Sequence, residues 1–354
     1  MKKNKRKSIS LFTGAGGMDV GFSRAGFNVV WANEIDSDAC NTYSANHTGI
    51  IECGDIRNYI DQLSDFKNID LVFGGPPCQG FSVAGKMDPN DERSKLIFSF
   101  MDVIEKVNPK AFVLENVKAL AVLDKWQPVR NMLFKRAWDL GYDAELVLLN
   151  ATHFGVPQKR ERMFFVGIKK ENSKKESKRF VEYLEKYKRS APRVIDILKG
   201  LGPMGTSVNP KTCNAKITLA RDPIMRRSPY AGMLFNGAGR PIDIMGHSNT
   251  LPASMGGNRT PIIDEDHAFN DGKNWIEKYH KLLSSGKKTN DICVPNHLRR
   301  ITTKEAALIQ TFPNDYKFFG KDNSIYHQIG NAVPCDLAHA VASALSDSME
   351  DFNL

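Results

Sequence analysis

Across residues 8–169, short apolar runs alternate with longer amphipathic stretches, and this alternation constrains the fold more than any other feature of the chain. The runs at 8–12, 29–33, 71–73, 111–114, 144–149 and 162–168 have the length and flanks of strands. Between them, 18–25, 36–46, 94–107 and 129–140 read as helices. In 94–107 the helical repeat passes through Leu96, Ile97, Phe100, Met101 and Ile104, and Gly141 ends the helix over 129–140. Alternation of this kind predicts an α/β fold, a parallel-type sheet with helices on both faces. Such sheets bind ligands at the carboxyl ends of their strands, so the segments just after each run are where function is expected.

From about residue 190 to 295 the pattern breaks down. Pro192, Pro203, Pro210, Pro223, Pro229, Pro241, Pro252 and Pro261 punctuate it, together with many glycines. This reads as a second, smaller, irregular domain. Helical order returns at 302–311, stopped by Phe312-Pro313, and at 335–345, preceded by Pro334. The irregular stretch also carries the charge. The formal net charge is +9, and residues 170–300 alone hold +11, against +2 before them and −4 after. Part of the excess lies in the Lys/Glu-rich segment 169–193, an exposed helix or linker. The rest includes Arg221, Arg226, Arg227, Arg240 and Arg259 in Gly/Pro/Ser loops, a composition that suits a polyanion-binding face, although a solvated surface has the same charge.

Hydrophobic residues at 41% and charged residues at 25% exclude a disordered or fibrous chain. No apolar run approaches the ~18 residues a membrane span needs. The N-terminus is basic but lacks a signal-peptide apolar region, which implies a cytoplasmic protein. Cys40, Cys53, Cys78, Cys213, Cys293 and Cys335 form no C-x-x-C pair, so neither a disulfide framework nor a zinc site is indicated. His153, His297 and His327 lack partners at metal-ligand spacing, and no metal is expected.

Phe12-Thr13-Gly14-Ala15-Gly16-Gly17 follows the first strand and opens the first helix, where glycines let backbone approach a ligand. Asp19 stands where a dinucleotide fingerprint needs its third glycine, which weakens an oxidoreductase reading. Glu34 ends the second strand, where an acid accepts hydrogen bonds from ribose hydroxyls. Asp55-Ile56 offers another carboxylate nearby. Any one of these alone is a turn glycine or a surface acid; in register with strand ends they favour a nucleoside-containing cofactor. Gly75-Pro76-Pro77-Cys78-Gln79-Gly80-Phe81-Ser82 displays one thiol on a stiff loop. Cysteine is more often an inert buried side chain, but a rigid loop at the ligand edge is where a nucleophile would stand. Glu115-Asn116-Val117 ends the fourth run, with helix capping as the plain alternative. Gln158-Lys159-Arg160-Glu161-Arg162 precedes the last strand, and strand alternation puts Arg160 and Arg162 on one side of it. Gln328-Ile329-Gly330-Asn331 precedes the final helix and could be a plain turn.

In this order and spacing, these elements resemble the DNA cytosine-5 methyltransferases of bacterial restriction-modification systems, over residues 8 to 345. The Pro-Cys, Glu-Asn-Val and Gln-x-Arg-x-Arg elements carry most of the likeness. The resemblance implies a Rossmann-like S-adenosylmethionine-dependent methyltransferase domain with a mixed, mostly parallel sheet, spanning 1–175 and completed by 315–354. A target-recognition domain with a late structural helix would occupy 176–314; Thr250-Leu251, Arg299 to Glu305 and Gln310 to Pro313 look like its markers. One departure is Ala332, where relatives often carry Ser. Cys78 would add to cytosine C6, a protonated Glu115 would neutralise N3, Arg162 would contact O2, and Arg160 would order the catalytic loop or the flipped nucleotide. S-adenosylmethionine would meet Phe12, Ile35 and Leu96 as apolar contacts and Glu34 and Asp55 as polar ones. Gly14, Gly16, Gly17, Ile56, Pro77 and Asn331 would complete its site, and S-adenosylhomocysteine would leave as product. Gln79, Ser82, Arg226, Arg227, Arg240, Thr250, Asn258 and Arg259 would touch DNA, with base flipping to reach the target carbon. A monomer acting on double-stranded DNA is expected, alongside a separately acting restriction endonuclease. A tRNA-directed enzyme of the same fold is the alternative, and a catalytically inactive DNA-binding relative is another, opposed by intact Cys78, Glu115 and Arg162.

Overall fold

The computed structural model describes residues 6–77, 92–169, 179–213, 215–352 and 354. Its centre is a seven-stranded sheet of β1 (Arg6–Leu11), β2 (Phe27–Glu34), β3 (Ile50–Cys53), β4 (Leu71–Gly74), β5 (Ala111–Val117), β6 (Tyr142–Asn150) and β8 (Glu161–Lys169), in the order β3-β2-β1-β4-β5-β8-β6. The first five strands are mutually parallel, while β8 runs antiparallel to both its neighbours. The sheet is therefore mixed and mostly parallel. A short strand, β7 (Gln158–Lys159), precedes β8.

The strands are apolar on both sides because both faces are covered. In β5, Ala111 and Val113 join one core with Phe22, Phe73 and Leu337, while Phe112 and Leu114 join the other with Ile9, Leu11, Phe100 and Ile104. The first face is covered by α1 (Gly17–Arg24), α6 (Phe180–Glu185) and α12 (Cys335–Asp351); the second by α3 (Glu92–Val107) and α5 (Gln127–Asp139). Phe22 of α1 stacks on Phe73 of β4 at 4.1 Å between ring centroids. Truncating such a buried ring costs about 3–5 kcal/mol. Gly21 lets α1 lie directly on the backbone of α12: a Cβ there would come 2.5 Å from His339 N. The last helix thus closes the sheet beside the first. Residues 169–193, expected as an exposed helix or linker, do form a helix at Phe180–Glu185, but one that tucks Phe180, Tyr183 and Leu184 under α12 rather than standing exposed.

The remaining helices of this half are α2 (Ser37–Asn46), capped by the Asp36 carboxylate on Ala39 N at 2.8 Å, and α4 (Lys118–Val122). Residues 190–300 are less regular but not structureless. They hold α7 (Val194–Leu201), β9 (Leu219–Ile224), β10 (Met233–Phe235), β11 (Ser248–Asn249), β12 (Ile262–Asp264), α8 (Glu265–Phe269), α9 (Trp275–Ser284) and β13 (Leu298–Arg300). The pairs β9·β10 and β12·β13 are antiparallel, and β11 pairs with β7, which ties this region to the central one. Ile217, Leu234, Phe235, Ile276 and Tyr279 form a small core there. α7, α10 (Thr303–Ile309) and α11 (Asp322–Asn331) share another core with Ala15 and Val20. The Gly330-Asn331 pair, readable as a plain turn, is the C-terminal end of α11. Among the described residues no helix is long and apolar enough to cross a membrane.

Candidate active site

The carboxyl ends of β1, β2 and β3 form one side of the site. The chain leaves β1 at Phe12 with φ +54°, a left-handed conformation that a bulky residue keeps only where its surroundings hold it. Gly14 and Gly16 follow with φ +53° and +81°. Gly16 has no alternative: a Cβ would collide with His47 Nε2 and lie 2.9 Å from the Tyr316 hydroxyl. At Gly14 a Cβ would meet nothing within 4 Å, so the loop opens outward there. Glu34 faces that opening. Its Oε2 accepts from Gly14 N at 2.7 Å, and its Oε1 from Ile35 N at 2.8 Å and Asp36 N at 2.9 Å. Ile35 beside it is 69% exposed, an apolar surface next to a carboxylate. Asp55 caps a turn by accepting from Arg57 N at 2.9 Å, and the Arg57 guanidinium holds its carboxyl below the usual range.

Three further residues expected at a cofactor are placed differently from one another. Leu96 is half-buried on α3, in the same core as Phe12. The Ile56 side chain is 1% exposed inside that core, so only its backbone could reach a ligand; the turn after Asp55 points it inward. Gly17 lies 2.6 Å, at an ideal Cβ, from Val333 O, so its missing side chain makes room for the segment after α11. Asn331, two residues before Val333 at the end of α11, is exposed, and its Nδ2 is 2.9 Å from His327 Nε2 one turn back in the same helix. Asp19, at the position of a fingerprint glycine, is buried under the loop. It accepts from the Tyr43 hydroxyl at 3.0 Å, and burial pushes its pKa up to about 7.

The other side of the site is built on β4, β5 and β8. β4 runs into Gly75, Pro76 and Pro77; Cys78, Gln79 and Ser82 lie outside the described residues. The loop is held at its root by Asn116 Nδ2, which donates to Pro76 O at 3.2 Å. Glu115, 9% exposed at the end of β5, accepts from Arg162 Nε at 2.9 Å. A Cβ at Gly75 would come 2.8 Å from Glu115 Oε2, so glycine there lets the carboxyl lie against the loop that leads to Cys78. Burial raises the Glu115 pKa, opposed by the positive charges of Arg162 and Arg160. The reversed direction of β8 makes this contact possible: the start of that strand, not its end, meets the carboxyl edge of β5, with Arg162 opposite Val117.

Arg160 lies in the joint between β7 and β8 and is 1% exposed. Its guanidinium donates to Leu251 O at 3.2 Å and Gly330 O at 3.0 Å. Gln158 works beside it: its Oε1 accepts from Leu251 N at 2.9 Å and its Nε2 donates to Gln310 Oε1 at 2.9 Å. Gln310 Nε2 in turn donates to Ile329 O at 2.7 Å and Ala332 O at 3.2 Å. One buried knot thus ties the Gln-x-Arg-x-Arg segment, the Thr250-Leu251 segment, α10 and the end of α11. Sequence reasoning noted Gln158 and Gln310 but gave them no role. It also missed Tyr316, whose hydroxyl donates to Ala15 O and meets His47 Nε2 at 2.9 Å. No local signal marks a contact between residues 301 apart.

The residues expected at DNA fall into two groups. Arg226 and Arg227 are exposed in the β9–β10 loop. That loop hangs beside β11, because Tyr230 O accepts from Asn249 Nδ2 at 3.1 Å. Thr250 follows, exposed, donating to Lys159 O at 2.9 Å. Arg240, Asn258 and Arg259 are exposed on two loops joined by Gly239 N to Asn258 O at 3.1 Å, over the start of α11. Among the described residues none of these four arginines is ion-paired.

A family model for C-5 cytosine-specific DNA methylase matches residues 6–347. The chain is 32% identical to the Type II methyltransferase M.FnuDI of Fusobacterium nucleatum, over 98% of this chain and 95% of that one. It is 33% identical to the Type II methyltransferase M.NgoPII of Neisseria gonorrhoeae, over 98% and 97%. Among solved structures, the S. pombe Dnmt2 methyltransferase shares the fold with a TM-score of 0.66 at 17% identity, covering 99% of both chains. The match runs through both the sheet and the irregular region, so it includes the buried carboxyl–guanidinium pair as well as the loops above it. The chain accordingly belongs to the C-5 cytosine-specific DNA methylases and is a DNA cytosine-5 methyltransferase of the restriction-modification type.

Proposed function

We propose that this enzyme methylates C5 of a cytosine turned out of one short double-stranded DNA sequence, with S-adenosylmethionine as methyl donor. The observation that carries the proposal is the buried Glu115–Arg162 pair lying against the loop that leads to Cys78. Cytosine C5 is a poor nucleophile until a thiolate adds at C6. Cys78 would form that bond, and its proton must leave first. Electron density then moves toward N3, where a protonated Glu115 would donate; its raised pKa suits a donor. Arg162 would hold O2, and Arg160 would position the strand that carries Arg162. With C5 then carrying the methyl group, loss of the C5 proton and elimination of the Cys78 thiolate, with the N3 proton returned, would complete the cycle.

The residues present fit the donor. Gly14 leaves open space beside a fixed carboxylate, and Ile35 offers an apolar face that solvent would not otherwise favour. Glu34 would hold the ribose hydroxyls, Asp55 the adenine amine, Phe12 and Leu96 the ring, and Gly16, Gly17, Pro77 and Asn331 the remainder. Bound there, S-adenosylmethionine supplies an electrophilic methyl group. Gln79, Ser82, Thr250, Asn258 and the exposed arginines would grip the duplex, phosphate contacts offsetting the cost of flipping, a few kcal/mol. A separate restriction endonuclease reading the same sequence would be its partner in the cell.

The test is transfer of labelled methyl to unmethylated plasmid DNA and to tRNA, with bisulfite mapping and Cys78→Ala as the control. Label in cytosines of one short motif, lost in the variant while DNA binding persists, is expected. Label confined to tRNA, or label that survives Cys78→Ala, would overturn the proposal.

A further inference from the structure

Cys40 and Cys53 were unremarkable in sequence, twelve residues apart in the intervening chain and without motif. The fold brings them to one carbonyl. Cys40, 6% exposed in the first turns of α2, donates its thiol to Glu34 O at 3.6 Å. The same oxygen accepts from Gly54 N, the residue after Cys53, at 2.7 Å. Cys53 is itself the register partner of Glu34 across β2 and β3, and it is exposed. The two free thiols flank the same strand residue, one sheltered and one open to solvent.

We propose that Cys40 and Cys53 form an oxidisable dithiol site, taking hydroperoxides as its chemical class of reactant, whose disulfide weakens cofactor binding. The exposed Cys53 thiolate attacks the peroxide O–O bond, giving a sulfenic acid and releasing hydroxide or alkoxide, which takes up a proton. The Cys40 sulfur then attacks the Cys53 sulfur. The S–S bond forms, the S–O bond breaks, the Cys40 proton leaves with the oxygen as water, and the peroxide has taken two electrons. Burial keeps the Cys40 thiol protonated until then, which assigns the first attack to Cys53.

The consequence follows from what lies between the two sulfurs. The turn joining β2 to α2 carries the Glu34 carboxylate and Ile35, and it is fixed by Asp36, whose carbonyl accepts from Cys40 N at 2.9 Å. Asp55 lies two residues beyond Cys53. Bonding Cys40 to Cys53 removes the thiol donor from Glu34 O and draws the first turns of α2 toward the end of β3. Both carboxylates assigned to the cofactor shift from the positions their hydrogen bonds now set. This inference rests on the cofactor reading given above.

The test uses the full chain, reduced, then treated with hydrogen peroxide, then returned to dithiothreitol. Linked peptides are mapped by mass spectrometry and the S-adenosylmethionine Kd is measured by titration calorimetry at each stage. A Cys40–Cys53 peptide, with a Kd raised about tenfold or more and restored by dithiothreitol, is expected. Cys53→Ser should bind as the reduced chain does and keep its affinity through peroxide. Absence of the linked peptide, a linked chain of unchanged Kd, or equal loss of affinity in Cys53→Ser would each overturn the inference. A reduced chain that never binds S-adenosylmethionine defeats the cofactor reading, and this one with it, without any oxidant.

Discussion

Glu115 sits under opposed influences. Burial favours its neutral form, while Arg162 and Arg160 favour its charge. The upward shift means that burial outweighs the two guanidinium charges, the direction a donor to N3 would need. On the proposed mechanism the protonated form is the working one, so its contribution should fall as pH rises through that raised pKa. Glu115→Gln should lower single-turnover methylation about 10²–10⁴-fold and abolish the alkaline fall of the pH–rate profile, with little change in S-adenosylmethionine Kd. A variant that keeps the same alkaline fall would assign it to another group. At this scale the sequence was informative where a residue lies at or near the carboxyl end of a parallel strand, as Glu34 and Glu115 do, whereas Arg162 meets that edge only because β8 runs the other way. It was uninformative at Ile56 and Gly17, whose facing depends on a turn and on a distant segment.

Between elements, the knot of Gln158, Gln310, Arg160, Leu251 and Gly330 does what no single helix or strand could. Both amides are buried and hydrogen-bonded, so removing one leaves its partners short of a bond in a dry interior. Gln310→Ala and Gln158→Ala should each cost about 1–3 kcal/mol in denaturant unfolding. Together they should cost less than the sum, because they share one bond. Strict additivity would mean that the Gln158–Gln310 contact contributes nothing. The helices α7 and α9 were hidden by the surrounding prolines and glycines, although Val194, Ile195, Leu198 and Leu201 keep a helical spacing. The direction of β8 was not legible either, since an apolar run reads the same both ways.

For the molecule as a whole, the +11 of residues 170–300 overstates what DNA can meet. Arg299 is buried against Glu305 and Glu265, and Arg300 is buried with its guanidinium on Thr260 O. They tie the β12–β13 segment to α8 and α10. Arg226, Arg227, Arg240 and Arg259, exposed and without an ion pair among the described residues, are the ones proposed to meet phosphates or bases. DNA affinity should therefore fall steeply with salt. Arg226→Ala and Arg227→Ala should each reduce the slope of log K against log salt by about one if they meet phosphates. A slope unchanged in both would move the DNA face to the other group of loops.

The sequence by itself determined the α/β alternation, the order of the motifs and hence the family, because strand ends and glycine turns are local properties of the chain. Tertiary structure alone decided which charges are buried, why Gly16 must be glycine beneath His47 and Tyr316, and that Cys40 and Cys53 both come to lie beside Glu34. Those outcomes depend on strand order, strand direction and the return of the last helices to the first. They are contacts between segments far apart in the chain, set by how the apolar faces close on one another rather than by any local pattern.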